Sequence, residues 1–226
     1  CLEMGSRRAH EQSAVAAARA AIIAGFDSTS NLEAGRRYGV RTIGTAAHAF
    51  TLLHDSEREA FLSQVAAFGP GTTLLVDTYD VEQGVITAVD TAGTALAAVR
   101  LDSGDLLQVA RETRDQLDAL GAAETRIVVS SDLDEYAIAA LAVAPVDFYG
   151  VGTSVVTGSG HPTCGMVYKL VMREGPDGEM QPVAKKSSAG KGSVGGRKRA
   201  GRRLEKGLAT EELVLVVPDG TVPSFE

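Results

Sequence analysis

The chain has 226 residues, a net charge of −7, 44% hydrophobic and 23% charged residues, and no Trp. That length buries a full core, and the abundance of Ala, Val, Leu and Gly suits packed helices and buried strands better than an aromatic-layered β-sandwich. Cys1 and Cys164 make neither a disulfide framework nor a metal-ligand spacing, no 18-residue apolar run offers a membrane span, and the opening residues lack a signal-peptide pattern, so a cytoplasmic setting is expected.

Taken in chain order, His10–Gly25 is Ala-rich, ends in Gly and predicts a helix. Gly39–Ile43 predicts a short buried strand, Ser56–Phe68 a helix with an acidic first turn, and Thr72–Val76 a strand. Then come a helix at Val81–Thr91, a strand at Ala95–Leu101, a long helix at Gly104–Leu120 and a β-branched strand at Arg126–Ser130. Asp132 introduces a helix over Leu133–Ala144, and Val146–Tyr149 is a last strand before Gly150-Val151-Gly152. Strands alternating with helices predict parallel β/α units, in a barrel or a doubly wound sheet; the period alone does not choose.

After Gly158 the texture changes. Gly165–Arg173 is strand-like, Glu174–Gly178 is a turn, residues 187–201 read as a mobile Gly, Ser and Lys-rich loop, and Glu211–Val217 is a late strand. The division expected is a β/α part over 1–160 and a C-terminal segment over 161–226. Residues 185–206 hold nine of the 22 Lys and Arg against one acid, Glu205. A basic stretch on an acidic body can bind phosphate or nucleic acid, or simply be a solvated loop. It contains no aromatic to stack on a base, which counts against nucleic acid.

Active sites of parallel β/α proteins gather at the C-terminal strand ends. Here those ends carry His48, Asp77 to Asp80, Arg100 to Asp105, Ser130 to Asp132 and Gly150 to Ser154. Helix capping accounts for any single Asp or Ser; it accounts less well for a His and an Arg on the same rim. Gly150-Val151-Gly152-Thr153-Ser154 lets backbone approach a phosphate, though it is not the dinucleotide fingerprint. His48 beside Phe50 reads as a packed residue or a catalytic one. Asp102 and Asp105 read as ribose or Mg²⁺ ligands, or as caps of the next helix.

Seven motifs in order carry a resemblance. Gly25-Phe26-Asp27-Ser28-Thr29-Ser30-Asn31-Leu32, Gly44-Thr45-Ala46-Ala47-His48-Ala49-Phe50 and Val76-Asp77-Thr78-Tyr79-Asp80 are followed by Arg100-Leu101-Asp102-Ser103-Gly104-Asp105 and Ser131-Asp132-Leu133-Asp134-Glu135. Gly150-Val151-Gly152-Thr153-Ser154-Val155-Val156-Thr157 and Gly165-Met166-Val167-Tyr168-Lys169-Leu170-Val171 complete the series. Over roughly residues 1–200 the chain resembles the nicotinate phosphoribosyltransferases, enzymes of the type II phosphoribosyltransferase class. The resemblance implies an irregular (β/α) barrel of parallel strands, incomplete at the N-terminus, with a C-terminal β-containing appendage. It implies formation of nicotinate mononucleotide and pyrophosphate from nicotinate and phosphoribosyl pyrophosphate in NAD salvage, with ATP as co-substrate through a phosphohistidine, Mg as cofactor, and a homodimer in the full-length form.

The same resemblance assigns roles. His48 is the phosphorylated residue, forming a catalytic group with Arg100 and Asp102. Arg7 lies beside the pyridine ring, and Ser30 meets the carboxylate, where nicotinamide-using relatives carry an acid. Asp77 and Ser103 join the substrate-binding set, with Ser103 at the ribose and pyrophosphate, while Ser131, Asp132, Gly152 and Thr153 hold the 5′-phosphate. Magnesium is expected through Asp102 or Asp105. Met4 departs from the pattern by standing where an aromatic is often found. The chain does not begin with Met and lacks the family's opening segment, so the expectation is a truncated chain, impaired or inactive alone. The competing readings are a quinolinate-using relative of the same fold class and a non-catalytic phosphate- or nucleotide-binding remnant.

Overall fold

In the computed structural model, residues 1–161, 163, 165, 167–186 and 192–218 are described. Contacts divide the chain into two units, Cys1–Thr163 and Cys164–Glu226.

The first unit opens with β1 (Leu2–Glu3), a 3-10 turn (Ser6–Arg8) and α1 (Glu11–Ala24). Gly25 ends α1 at φ 111°, where its N–H closes onto Ala21 and Ile22 carbonyls. Next come β2 (Ser28–Thr29), α2 (Leu32–Tyr38), α3 (His48–Leu52), α4 (Glu57–Phe68) and β3 (Thr73–Leu75). The unit continues through α5 (Val81–Ala92), β4 (Ala98–Leu101), α6 (Leu106–Ala119), β5 (Arg126–Ser130), α7 (Glu135–Leu141), β6 (Phe148–Val151) and α8 (Thr153–Thr157). Side-chain caps start most of the longer helices: Ser56 for α4, Asp80 for α5, Asp105 for α6 and Asp134 for α7. The sequence reading placed the cap of this last helix at Asp132; the structure moves it two residues on and leaves Asp132 outside the helix.

Six strands form one parallel sheet in the order β2-β1-β6-β5-β4-β3. The sheet curls into a half-barrel flanked by helices, so the barrel expectation holds over an open one. The short strands β1 and β2 gave no periodic signal because two residues cannot show one. The expected strand at Gly39–Ile43 is reduced to a single bridge, Thr42 to Thr29. Gly39 is spent as the left-handed end of α2, at φ 66°, which leaves too few extended residues for a ladder.

Strand alternation separates two cores. Outward positions Leu74, Val76, Val99, Leu101, Ile127 and Val129 pack under the helices with Val85, Ala88 and Leu117. Inward positions Leu2, Ala98 and Val128 pack with Met4, Ile43 and Phe148. Moving two residues toward the C-terminal ends of β4, β5 and β6, the same inward face carries Arg100, Ser130 and Gly150. The apolar floor of the half-barrel thus gives way to polar groups at its rim.

The second unit holds two antiparallel hairpins, β7 (Met172–Glu174) with β8 (Met180–Pro182) and β9 (Lys198–Glu205) with β10 (Leu208–Val216). The expected mobile loop is overturned at 198–201, which β10 pairs as a strand, and the expected strand at Gly165–Arg173 is cut back to start at Met172, where β8 first offers a partner; residues 187–191 and Met166 lie outside the described residues. Part of the basic charge is internally matched: Arg202 pairs with Glu212 at 2.6 Å and Arg203 with Glu211 across the hairpin. Among the described residues no helix is long and apolar enough to cross a membrane.

Candidate active site

The rim of the half-barrel encloses a cleft of about 590 Å³. Of the residues singled out from sequence, Arg7, Ser30, His48, Arg100, Asp102, Ser131, Asp132, Gly152 and Thr153 all line it. Asp77 and Ser103 do not line it but stand directly behind: Asp77 Oδ2 accepts from the Asp102 N–H at 2.8 Å and from Ser103 Oγ at 2.6 Å. Asp105 is used as a cap, its Oδ1 accepting from the Leu107 and Gln108 N–H groups that open α6.

Arg100 is consumed by the site itself. Its Nε donates to Ser130 Oγ at 2.7 Å, one terminal nitrogen to Thr45 Oγ1 at 2.7 Å and the other to Asp102 Oδ1 at 2.9 Å. Ser130 Oγ also donates to Asp102 Oδ1. A planar guanidinium fixed at three corners sets the loop after Thr42, the end of β5 and the Asp102 carboxylate in one frame. Burial works against the Asp102 charge, but the Ser130 hydrogen bond and the adjacent Arg100, with His48 beyond, hold its carboxyl below the usual carboxylate range.

His48 opens α3 and reaches across the open side of the half-barrel toward the end of β3. Its Nδ1 lies 3.2 Å from Thr78 Oγ1; its Nε2 lies 3.7 Å from Asp102 Oδ2 and 4.0 Å from Asp77 Oδ1. The ring is 42% exposed while the Asp77 side chain is 1% exposed, and Asp77 Oδ1 has no hydrogen-bond partner. A reachable imidazole flanked by two carboxylates is a setting for phosphoryl or proton transfer rather than for packing. Ser131 has φ 144°, a region that L residues adopt at a cost of about 1–3 kcal/mol, and it stands where β5 meets the cleft.

Of the cleft residues, sequence reasoning gave Ser6, Arg8 and Thr45 no role and noted Ser130 only as part of a strand end. Ser130 was readable in principle, because it lies two residues past Val128 on the inward face of a strand. Thr45 was not, because no pattern in its own segment points to the Arg100 nitrogen that holds it.

Behind the cleft, Glu57 begins α4 with its Oε1 buried and unpartnered. Burial first, then the charges of Asp80 and Asp77, push its carboxyl up to about 7. Between the unfolded value near 4.5 and about 7 the folded chain binds a proton that the unfolded chain does not, so this group lowers stability as pH rises through that window. Glu57→Gln is therefore expected to be about 1–2 kcal/mol more stable than the native chain near pH 8, after allowance for partial exposure, and equal to it near pH 4.5. Urea unfolding midpoints at the two pH values check this; a gap that does not change with pH rejects the assignment.

No family model matches the chain. Individual relatives do. Over 94% of its length it is 62% identical to a nicotinate phosphoribosyltransferase of Mycobacterium tuberculosis, and over 91% it is 41% identical to that of Bacillus subtilis. These alignments cover 48% and 44% of the two relatives, so the chain spans about half the length of the curated relatives it matches. Among solved structures, human nicotinic acid phosphoribosyltransferase superposes with a TM-score of 0.61 at 27% identity, covering 97% of this chain and 52% of that one. The chain is homologous to the nicotinate phosphoribosyltransferases over a stretch matching about half of a member.

Proposed function

We propose that this chain carries the phosphoribosyl-transfer site of a nicotinate phosphoribosyltransferase, which makes nicotinate mononucleotide and pyrophosphate from nicotinate and phosphoribosyl pyrophosphate in NAD salvage, with ATP hydrolysis coupled. One observation carries the reading: a His, an Arg-fixed Asp, a serine beside two arginines and two Gly- or Ser-containing strand ends share one cleft. In the reaction the pyridine nitrogen forms a bond to C1′ of the ribose as the bond from C1′ to the pyrophosphate oxygen breaks. Positive charge grows on the ribose and negative charge on the leaving group. Asp102 would face the first. Arg7 and Arg8, with Ser30, offer donors to the nicotinate carboxylate, and the backbone at Ser131, Asp132, Gly152 and Thr153 offers N–H groups to the 5′-phosphate. Arg100, already bonded on three sides, acts by holding Asp102 in place.

Among the described residues no three His, Cys, Asp or Glu side chains converge on a metal. Asp102, whose Oδ2 is not held by Arg100 or Ser130, would be the carboxylate to hold a magnesium ion brought in with pyrophosphate. Bound there, it would neutralise leaving-group charge. Asp105, committed to its helix, is the poorer ligand. The same reading includes the homodimer of the full-length form and a cytoplasmic setting.

The deciding assay offers the chain nicotinate, nicotinamide or quinolinate with phosphoribosyl pyrophosphate and follows pyrophosphate release. Release with nicotinate at least about tenfold faster than with the other two supports the reading. Preference for quinolinate transfers the site to the related enzyme. Binding of phosphoribosyl pyrophosphate without turnover makes the chain a remnant that keeps the site but not the chemistry.

A further inference from the structure

Glu3 is fully buried, yet it does not line the cleft. It occupies the outward position of β1, between the inward Leu2 and Met4. Its Oε1 accepts from the Gly5 N–H at 2.5 Å, and its Oε2 accepts from Thr29 Oγ1. Thr29 Oγ1 in turn accepts from the Asn31 N–H at 2.9 Å, and Asn31 Nδ2 donates to Ser6 Oγ at 3.0 Å. The Glu3 carbonyl accepts from the Ser30 N–H at 2.8 Å. These bonds close a ring from Glu3 through the Gly5–Ser6 turn to Asn31, Thr29 and back. Arg7 follows that turn directly, and Ser30 sits within the ring's other arc.

We propose that Glu3 is a positioning residue for the nicotinate end of the cleft, setting the turn that carries Arg7 against the strand end that carries Ser30. The inference rests on the nicotinate reading of those two residues. A buried carboxylate costs desolvation that an apolar side chain of the same size avoids, and apolar packing alone would join β1 to β2. What the carboxylate adds is two acceptors at a fixed separation, meeting one donor from each side. The approach is close: a Cβ on Gly5 would stand 2.2 Å from Val156 Cγ1 and 3.0 Å from Glu3 Oε1, so the turn has one seat. Glutamine keeps the shape but offers one acceptor, and its NH2 then faces either Gly5 N–H or the Thr29 hydroxyl.

The test compares the native chain with Glu3→Gln by calorimetric binding of nicotinate and of phosphoribosyl pyrophosphate, and by hydrogen exchange at the Gly5 amide. The expected result is a nicotinate dissociation constant raised about tenfold, phosphoribosyl pyrophosphate affinity within about twofold, and Gly5 exchange about tenfold faster. Both affinities falling together, or a Gly5 amide as protected as before, overturns the proposal. Should Glu3→Gln not fold, Thr29→Val, which removes a single donor from the carboxylate, is measured the same way. A native chain that binds no nicotinate defeats the nicotinate reading and this proposal's functional half separately, since Gly5 exchange in Glu3→Gln still reports whether Glu3 holds the turn.

Discussion

His48→Ala is expected to remain unlabelled by ATP carrying a labelled γ-phosphate, under conditions in which the native chain acquires acid-labile label. The argument is geometric. Nδ1 lies 3.2 Å from the Thr78 hydroxyl, which can accept an N–H from it; in that tautomer Nε2, 3.7 Å from Asp102 Oδ2 and 4.0 Å from Asp77 Oδ1, carries the lone pair. In the proposed coupling that lone pair would attack the γ-phosphorus, forming a P–N bond as the bond to the ADP oxygen breaks. The ring is exposed enough for a polyphosphate to reach it. Thr78→Val should slow labelling about tenfold without abolishing it, because it frees the tautomer but keeps the nucleophile. In the alanine variant, nicotinate mononucleotide formation should continue without stimulation by ATP, separating phosphoryl transfer from phosphoribosyl transfer. Equal labelling of the alanine variant would place the acceptor elsewhere and withdraw His48 from the mechanism.

The contrast between what sequence made legible and what it did not follows from length and locality. The helices α4, α5 and α6 were readable because each runs for three turns or more behind a Ser or Asp cap, so pattern and cap agree. The strands β1 and β2 were not readable, yet they complete the sheet: β1 pairs on one side with β6, the strand of this sheet most distant from it in sequence, and with β2 on the other. Such pairing is decided by tertiary closure. The same distinction runs through the site. Arg100 and Asp102 announced themselves as charged groups at a strand end and His48 as a ring on the same rim, where satisfying helix caps does not require a His or an Arg. Asp105 stood in the same stretch with the same side chain and turned out to cap α6. One residue type served two purposes within four positions, and only the bonds made by the carboxylate oxygens tell them apart. Glu3 was passed over altogether, since a single acid in a two-residue strand looks like surface until its partners 2 and 26 residues away are known.

Asp102→Asn is expected to lower kcat for nicotinate mononucleotide formation by about 10²–10³-fold while leaving the KM for phosphoribosyl pyrophosphate within a few-fold. The variant keeps the side-chain shape and one acceptor, so Arg100 and Ser130 can retain a partner for part of their bonding. What disappears is the negative charge proposed to face the ribose as its C1′ bond to pyrophosphate loosens. An effect confined to the transition state falls on kcat rather than on ground-state binding. The pH dependence gives a second check. Because its surroundings hold the Asp102 carboxyl below the ordinary carboxylate value, the group is ionised throughout the neutral range. Its stabilising contribution to the fold is therefore present above the unfolded value of 3.8 and fades only as pH falls through the lower folded value. The rate ratio between native and Asn variants should consequently be flat between about pH 6 and pH 9, and any acid limb in the native profile must belong to another group. A ratio that shrinks toward low pH would mean that Asp102 titrates within the working range, and the Arg100–Ser130 frame would not be what keeps it charged. A loss below about tenfold would leave the frame intact but remove Asp102 from the charge it is proposed to face.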